Sequence, residues 1–256
     1  MVTVSSVTLG STTPFVIQES APEVSATITP SFDSKVIFRG EELAKSSLEI
    51  PLEISYGSFQ ADVTSSDAQT YAQVNYHASY AFVFDSFFSL TPDLTFYTYP
   101  KDNTSDLTYL TAKSLGQSIY RSHLEPGISA TFNIAGIKLK PRYFYDVSLQ
   151  GSTYELASSY SLPLLTLGTE IDFFSHIGAL KQTHLTPSPE SLTKSTHYAN
   201  LGVLVPYQIS QSVNLSASWV YTQNSLSLAA PGTSNSAIKH NSSRVGVFST
   251  GLEFRF

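Results

Sequence analysis

The sequence contains no cysteine. A disulfide framework, a thiolate metal site and a cysteine nucleophile are therefore excluded. Charge is scarce as well: 13% of the 256 residues are Asp, Glu, Lys or Arg, against about 25% in an ordinary globular protein. The net charge of −6 argues against a nucleic-acid footprint, which is basic. No apolar run approaches the roughly 18 residues of a membrane-spanning helix. Residues 1–23 lack the basic start and continuous apolar stretch of a signal peptide. This leaves a mature form with a new Met1, or a protein that is not exported; the strand pattern favours the first.

What replaces the missing charge is uncharged polarity and aromatic rings, with 15 Tyr and 16 Phe. These residues alternate. Over positions 24–39 the even face reads Val24, Ala26, Ile28, Pro30, Phe32, Ser34, Val36, Phe38, and the odd face is mostly polar. This predicts one strand longer than the usual 5–6 residues or so, and long enough to cross a bilayer at a tilt, which takes about 9–11. The period of two recurs down the chain. Leu48, Ile50, Leu52, Ile54 and Tyr56 oppose Glu49 and Glu53, and Phe59, Ala61 and Val63 oppose Asp62. Val74, Tyr76, Ala78 and Tyr80 oppose Asn75 and His77. Ile137, Leu139, Tyr143 and Tyr145 oppose Lys138, Lys140 and Arg142, and Ile171, Phe173 and Ile177 oppose Glu170 and Asp172.

About twelve such segments are expected over residues 24–256, an even number, as in a closed antiparallel transmembrane β-barrel. Residues 1–23 are then a periplasmic extension or a plug segment. Short links near Gly57, Asp85-Ser86, Gly136, Pro163-Leu164 and 208–211 alternate with mostly longer polar links at 40–46, 65–70, 100–116, 150–152, 178–194 and 223–241. Short turns on one side and long loops on the other mark a barrel of the bacterial outer membrane. The prolines at 30, 51, 92, 126, 141, 163 and 206 weigh against central strands, because proline cannot donate to a ladder.

A soluble barrel has its apolar face inside, a membrane barrel outside. The polar face carries the mid-strand charge while the other is nearly free of it, and a lipid-facing side must exclude charge, at about 2–4 kcal/mol for Lys or Arg at the midplane. Tyr56, Phe84, Phe88, Tyr207 and Phe256 sit at strand ends, where rings favour the membrane interface. Both point to apolar outside. Membrane lipid is then one partner. At the carboxyl end Phe248, Leu252, Phe254 and Phe256 alternate to a terminal Phe. They resemble the outer-membrane targeting signal read by the barrel insertion machinery, a second partner.

The segment Ser34-Lys35-Val36-Ile37-Phe38-Arg39-Gly40, followed by a second strand and Gly57-Ser58-Phe59, resembles the opening of the TorF-type putative porins. In that family an aromatic-x-aromatic-Arg-Gly element ends the first strand. Here Val36 stands where the first aromatic is found, and the specific likeness covers the first 65 or so residues. The resemblance implies an outer-membrane channel of unassigned substrate, with no catalytic residues.

The lumen candidates are Lys138, Lys140 and Arg142 as a basic ladder, with Glu49, Glu53, Asp62, Glu170 and Asp172 as acidic patches. Facing a pore, charges of opposite sign set its selectivity; paired across it, they plug it. Arg39 is expected at the pore mouth, paired with Glu41 or Glu42. An enzyme reading rests on the His-x-Ser element His77-Ala78-Ser79. Outer-membrane phospholipases place that pair on the lipid side, whereas these two fall on the polar face. The six His residues show no metal-ligand spacing, so no metal or cofactor is implied. The sequence-based reading is a porin-like channel for small polar or charged solutes, with a closed structural or adhesive barrel as the alternative.

Overall fold

The computed structural model describes residues 24–39, 41–68, 72–98, 122–148, 150–164, 168–182, 193–229 and 237–256. The expected plug segment 1–23 and the link 100–116 lie outside them. The described chain is all strand and turn. In order the strands are β1 (Val24–Ile28), β2 (Ser31–Asp33), β3 (Val36–Phe38), β4 (Glu41–Ala44), β5 (Ser47–Tyr56), β6 (Phe59–Ala68), β7 (Ala72–Tyr80) and β8 (Phe82–Val83). They continue as β9 (Phe88–Thr98), β10 (Ser122–Ile134), β11 (Ile137–Asp146), β12 (Gly151–Leu164), β13 (Thr169–Gln182), β14 (Thr193–Ser210), β15 (Val213–Ala229) and β16 (Ala237–Arg255).

Every neighbouring pair is antiparallel, and the sheet closes on itself. Both β1 and β2 pair with β16 on one side and with β5 on the other. Together they form one wall strand, interrupted at Thr29-Pro30. The missing N–H of Pro30 breaks the ladder there, and Leu252 instead donates its N–H to the Pro30 carbonyl at 3.0 Å. β8 extends the β7 position at the rim, where it pairs with β9. β3 and β4 pair only with each other. The wall therefore has twelve strand positions, as the alternation predicts.

Alternation decides which side each residue faces. Leu52, Ile54, Tyr76, Leu94, Leu156, Phe173, Leu201 and Trp219 are exposed on the outside. Their polar neighbours turn inward. Charge inside and hydrocarbon outside is the arrangement that lipid requires. Phe248, Leu252 and Phe256 also lie exposed on the outer face, and Phe254 shares their side of β16. The turn between β10 and β11 consists of Ala135 and Gly136, both at positive φ, as expected of a two-residue hairpin that follows the strand twist.

Three expectations are corrected. Positions 24–39 are not one strand: the wall ends at Asp33, and the chain turns off it at Ser34-Lys35 into the β3–β4 hairpin. The links expected at 178–194 and 223–241 are strand at both of their ends, because β13 runs to Gln182, β14 starts at Thr193, β15 runs to Ala229 and β16 starts at Ala237. The shorter links shift in the same way: β6 reaches Ala68, β12 spans Gly151 to Leu164 with Pro163 inside it, and β14 reaches Ser210. The alternation missed these ends because the outer side of a strand beyond the lipid meets water and no longer needs to be apolar. Pro51, Pro92, Pro126 and Pro141 also lie within strands. Pro51 still accepts through its carbonyl, from the Thr29 N–H at 3.0 Å.

Candidate functional site

The lumen is the enclosed polar surface. All eight charged candidates lie on its side of the wall: Glu49 and Glu53 on β5, Asp62 on β6, Lys138, Lys140 and Arg142 on β11, Glu170 and Asp172 on β13. Around the ring, β11 lies six places from β1/β2 in either direction. The basic ladder thus stands diametrically across from Asp33 and the acids of β5. It is not isolated, however. Asp93 on β9 lies within Coulombic reach of Lys140, Arg142 and His77, and Arg142 Nη1 is 4.0 Å from Glu155 Oε2 on β12. Glu49 accepts from the Ser66 hydroxyl at 2.8 Å, and Asp172 accepts from Ser161.

The β3–β4 hairpin brings Arg39 across this space. Its guanidinium donates through Nη2 to both oxygens of Glu125 on β10, at 2.6 Å each. Tyr97 of β9 donates its hydroxyl to the same carboxylate at 3.0 Å. The Arg39 guanidinium carbon stands 5.8 Å from the centre of the Phe144 ring, close enough for a cation–π contact. Phe144 follows Lys138, Lys140 and Arg142 on the same face of β11, so the hairpin supplies a fourth cation where the strand supplies a ring. The Arg39 and Glu125 side chains are 9% and 2% exposed. Burial works against the Arg39 charge, but Glu125 outweighs it, and the guanidinium is held above its ordinary value. At the base of the hairpin Lys35 binds Glu42 at 2.9 Å. Arg39 therefore sits inside the lumen and reaches a carboxylate 86 positions away; of its two expected partners, Glu42 binds Lys35, and the side chain of Glu41 lies outside those described. Alternation alone puts Glu125 on the polar face, and nothing in the sequence gives it a role.

A second cluster lies on the neighbouring strands. Glu155 accepts from the Tyr198 hydroxyl of β14 and meets His176 Nε2 of β13 at 3.1 Å. Tyr198 crosses an entire strand to do this. In register Glu155 faces Gly178, and Gly178 faces Tyr198. A Cβ on Gly178 would collide with the Tyr198 ring, so glycine is what lets the ring lie flat across β13. Gly127 does the same between Asp93 and Phe144, where an added Cβ would come within 2.5 Å of both. Phe174 lies over Gly202 in the same way. Ring-over-glycine pairs of this kind are a known way of fixing sheet register.

The other lumen histidines also meet carboxylates. His77 Nδ1 is 2.7 Å from Asp62 Oδ1, and His123 Nδ1 is 3.4 Å from Asp146 Oδ2. His77 and Ser79 face the lumen, away from lipid. Among the described residues no group of three His, Cys, Asp or Glu is placed to hold a metal ion.

No family model and no curated protein sequence matches the chain. Among solved structures it is similar to the KdgM porin, at a TM-score of 0.54 and 11% identity, over 91% of this chain and 99% of that one. The NanC porin aligns over 90% of this chain and 98% of its own, at 11% identity and a TM-score of 0.49. Omp33 of Acinetobacter baumannii aligns over 92% and 98%, at 9% identity and a TM-score of 0.44. At 11% identity the KdgM likeness speaks for architecture, and it agrees with the ladder: the chain folds as a closed, twelve-stranded antiparallel transmembrane barrel.

Proposed function

We propose that this protein is a bacterial outer-membrane channel for the passive diffusion of small polar or charged solutes. The observation that carries the reading is the sorting of charge. Ionised side chains are enclosed, with the basic ladder of β11 across from Asp33, Glu49 and Glu53, while the outer surface is apolar. Enclosed charges of opposite sign are suited to guiding solutes through a pore. A purely structural barrel has no use for Lys138 and Lys140, neither of which has an ion pair among the described residues. Membership of the TorF-type porins, suggested by the Arg39-Gly40 element, is part of the same proposal. So is recognition of Phe248, Leu252, Phe254 and Phe256 by the insertion machinery. Single-channel recording of the refolded protein in planar bilayers tests the function. Discrete, voltage-stable conductance steps are expected. A folded barrel that inserts and stays silent overturns the reading in favour of a closed structural barrel.

A further inference from the structure

The lumen is not uniformly filled. Toward the long-loop end inward-facing side chains are buried on most of the wall strands: Ser66, Gln73, His123, Thr153, Thr196 and Thr222. Toward the short-turn end Asp172 is buried, but Asp62 and His77 on the other side of the ring keep 22% and 26% of their side chains exposed. The β3–β4 hairpin belongs to the filled half. It leaves the wall at Asp33 and ends on Glu125 of β10, five strand positions round the ring, so it spans nearly the full width of the lumen.

Its tip is held in a costly backbone conformation. Arg39 has φ 47°, in the left-handed region, where strain at a non-glycine residue costs of order 1–3 kcal/mol. Burying the guanidinium would cost more if it were unpaired. What offsets both is a receptor built from three consecutive wall strands: Tyr97 on β9, Glu125 on β10 and Phe144 on β11, with Phe144 laid into place over Gly127. A solvated arginine at the end of a strand needs none of these.

We propose that the β3–β4 hairpin is a strap across the pore and that the Arg39–Glu125 pair, latching it to the far wall, determines the channel's conductance and ion preference. This rests on the channel reading and deepens it. With the latch closed, the filled half is the constriction, and solutes pass beside the strap. With the latch released, the hairpin stays joined to the wall at its base, through the chain at Asp33 and Ser47 and the Ser34–Phe248 hydrogen bonds, and the cross-section widens.

The test uses the full chain in planar bilayers. Arg39→Leu combined with Glu125→Leu removes both charges together, so neither is left buried alone. Arg39→Glu combined with Glu125→Arg reverses the pair and keeps it. A third variant replaces Val36–Ala44 with a short Gly-Ser turn. Heat-modifiable gel mobility confirms that each one folds. The double-Leu and hairpin-replaced proteins are expected to conduct more than the parent, by about two-fold or more, since a hydrophobic or steric constriction limits flow. They should match each other, and the reversed pair should return to a small conductance with an altered reversal potential. Larger steps from the double-Leu protein support the latch even if the parent is silent. Equal steps from all four overturn the latch and leave the channel standing. Silence from all four folded proteins overturns both.

Discussion

The two halves of the lumen use charge differently. In the long-loop half carboxylates are buried and shared: Glu125 between Arg39 and Tyr97, Glu155 among Arg142, His176 and Tyr198. In the short-turn half Lys138 and Lys140 stand without ion pairs among the described residues, and the Asp62 and His77 side chains keep part of their surface in solvent. A buried charge is tolerable only when its partners are complete. A charge in a wet pore needs no partner and keeps its field for passing solutes. The filled half therefore carries structure, and on the channel reading the accessible half is the proposed seat of selectivity.

The sharpest way to break this contrast is Glu155→Leu, which removes one member of a buried network and leaves the Tyr198 hydroxyl without its acceptor and Arg142 and His176 without their carboxylate. A loss of about 3 kcal/mol is expected, the scale for breaking a buried ion pair. Urea titration of the barrel in lipid vesicles measures it, and a loss below about 0.5 kcal/mol, the range of ordinary surface changes, would make the two halves alike. Gly178→Ala attacks the same contact from beneath. The added methyl displaces the Tyr198 ring from its path to Glu155, at about 1–3 kcal/mol for overpacking. Gly246→Ala is its control: there the new Cβ comes no closer than 3.5 Å to Trp219, and the same titration should barely move. The smallest effect on stability, within about 0.5 kcal/mol, is expected for Lys138→Gln with Lys140→Gln. In this variant the reversal potential in a salt gradient should move toward cation preference. An unmoved reversal potential would mean that the ladder does not face the conducting path.

Much of the barrel was legible because lipid imposes a rule on single residues. An outward position at bilayer depth must be apolar, so Leu48 to Tyr56 and Ile137 to Tyr145 declare their faces without reference to any partner. The same rule explains where reading stopped. The polar ends of β13 to β16 lie beyond the lipid, and nothing there separates strand from loop. The first strand was misread for a different reason. Positions 34–38 keep the alternation of a wall strand, yet they leave the wall for a hairpin whose tip is held by Glu125. The likeness to an Arg-Gly strand ending draws attention to Arg39 but says nothing of Glu125, Tyr97 or Phe144 around it. Glu155 and Gly178 carried no signal either, since the value of each depends on Tyr198, two strands from Glu155.

The order of apolar and polar side chains alone determined a closed wall of about twelve strands with its charges enclosed, because period two and the exclusion of charge from hydrocarbon act locally. Only the tertiary structure decided that the chain turns inward after Asp33 and that Arg39 finds Glu125 on the far side. It alone also decided that the tall strands outrun the membrane. Each of these depends on groups that are distant in sequence and adjacent only once the sheet has closed.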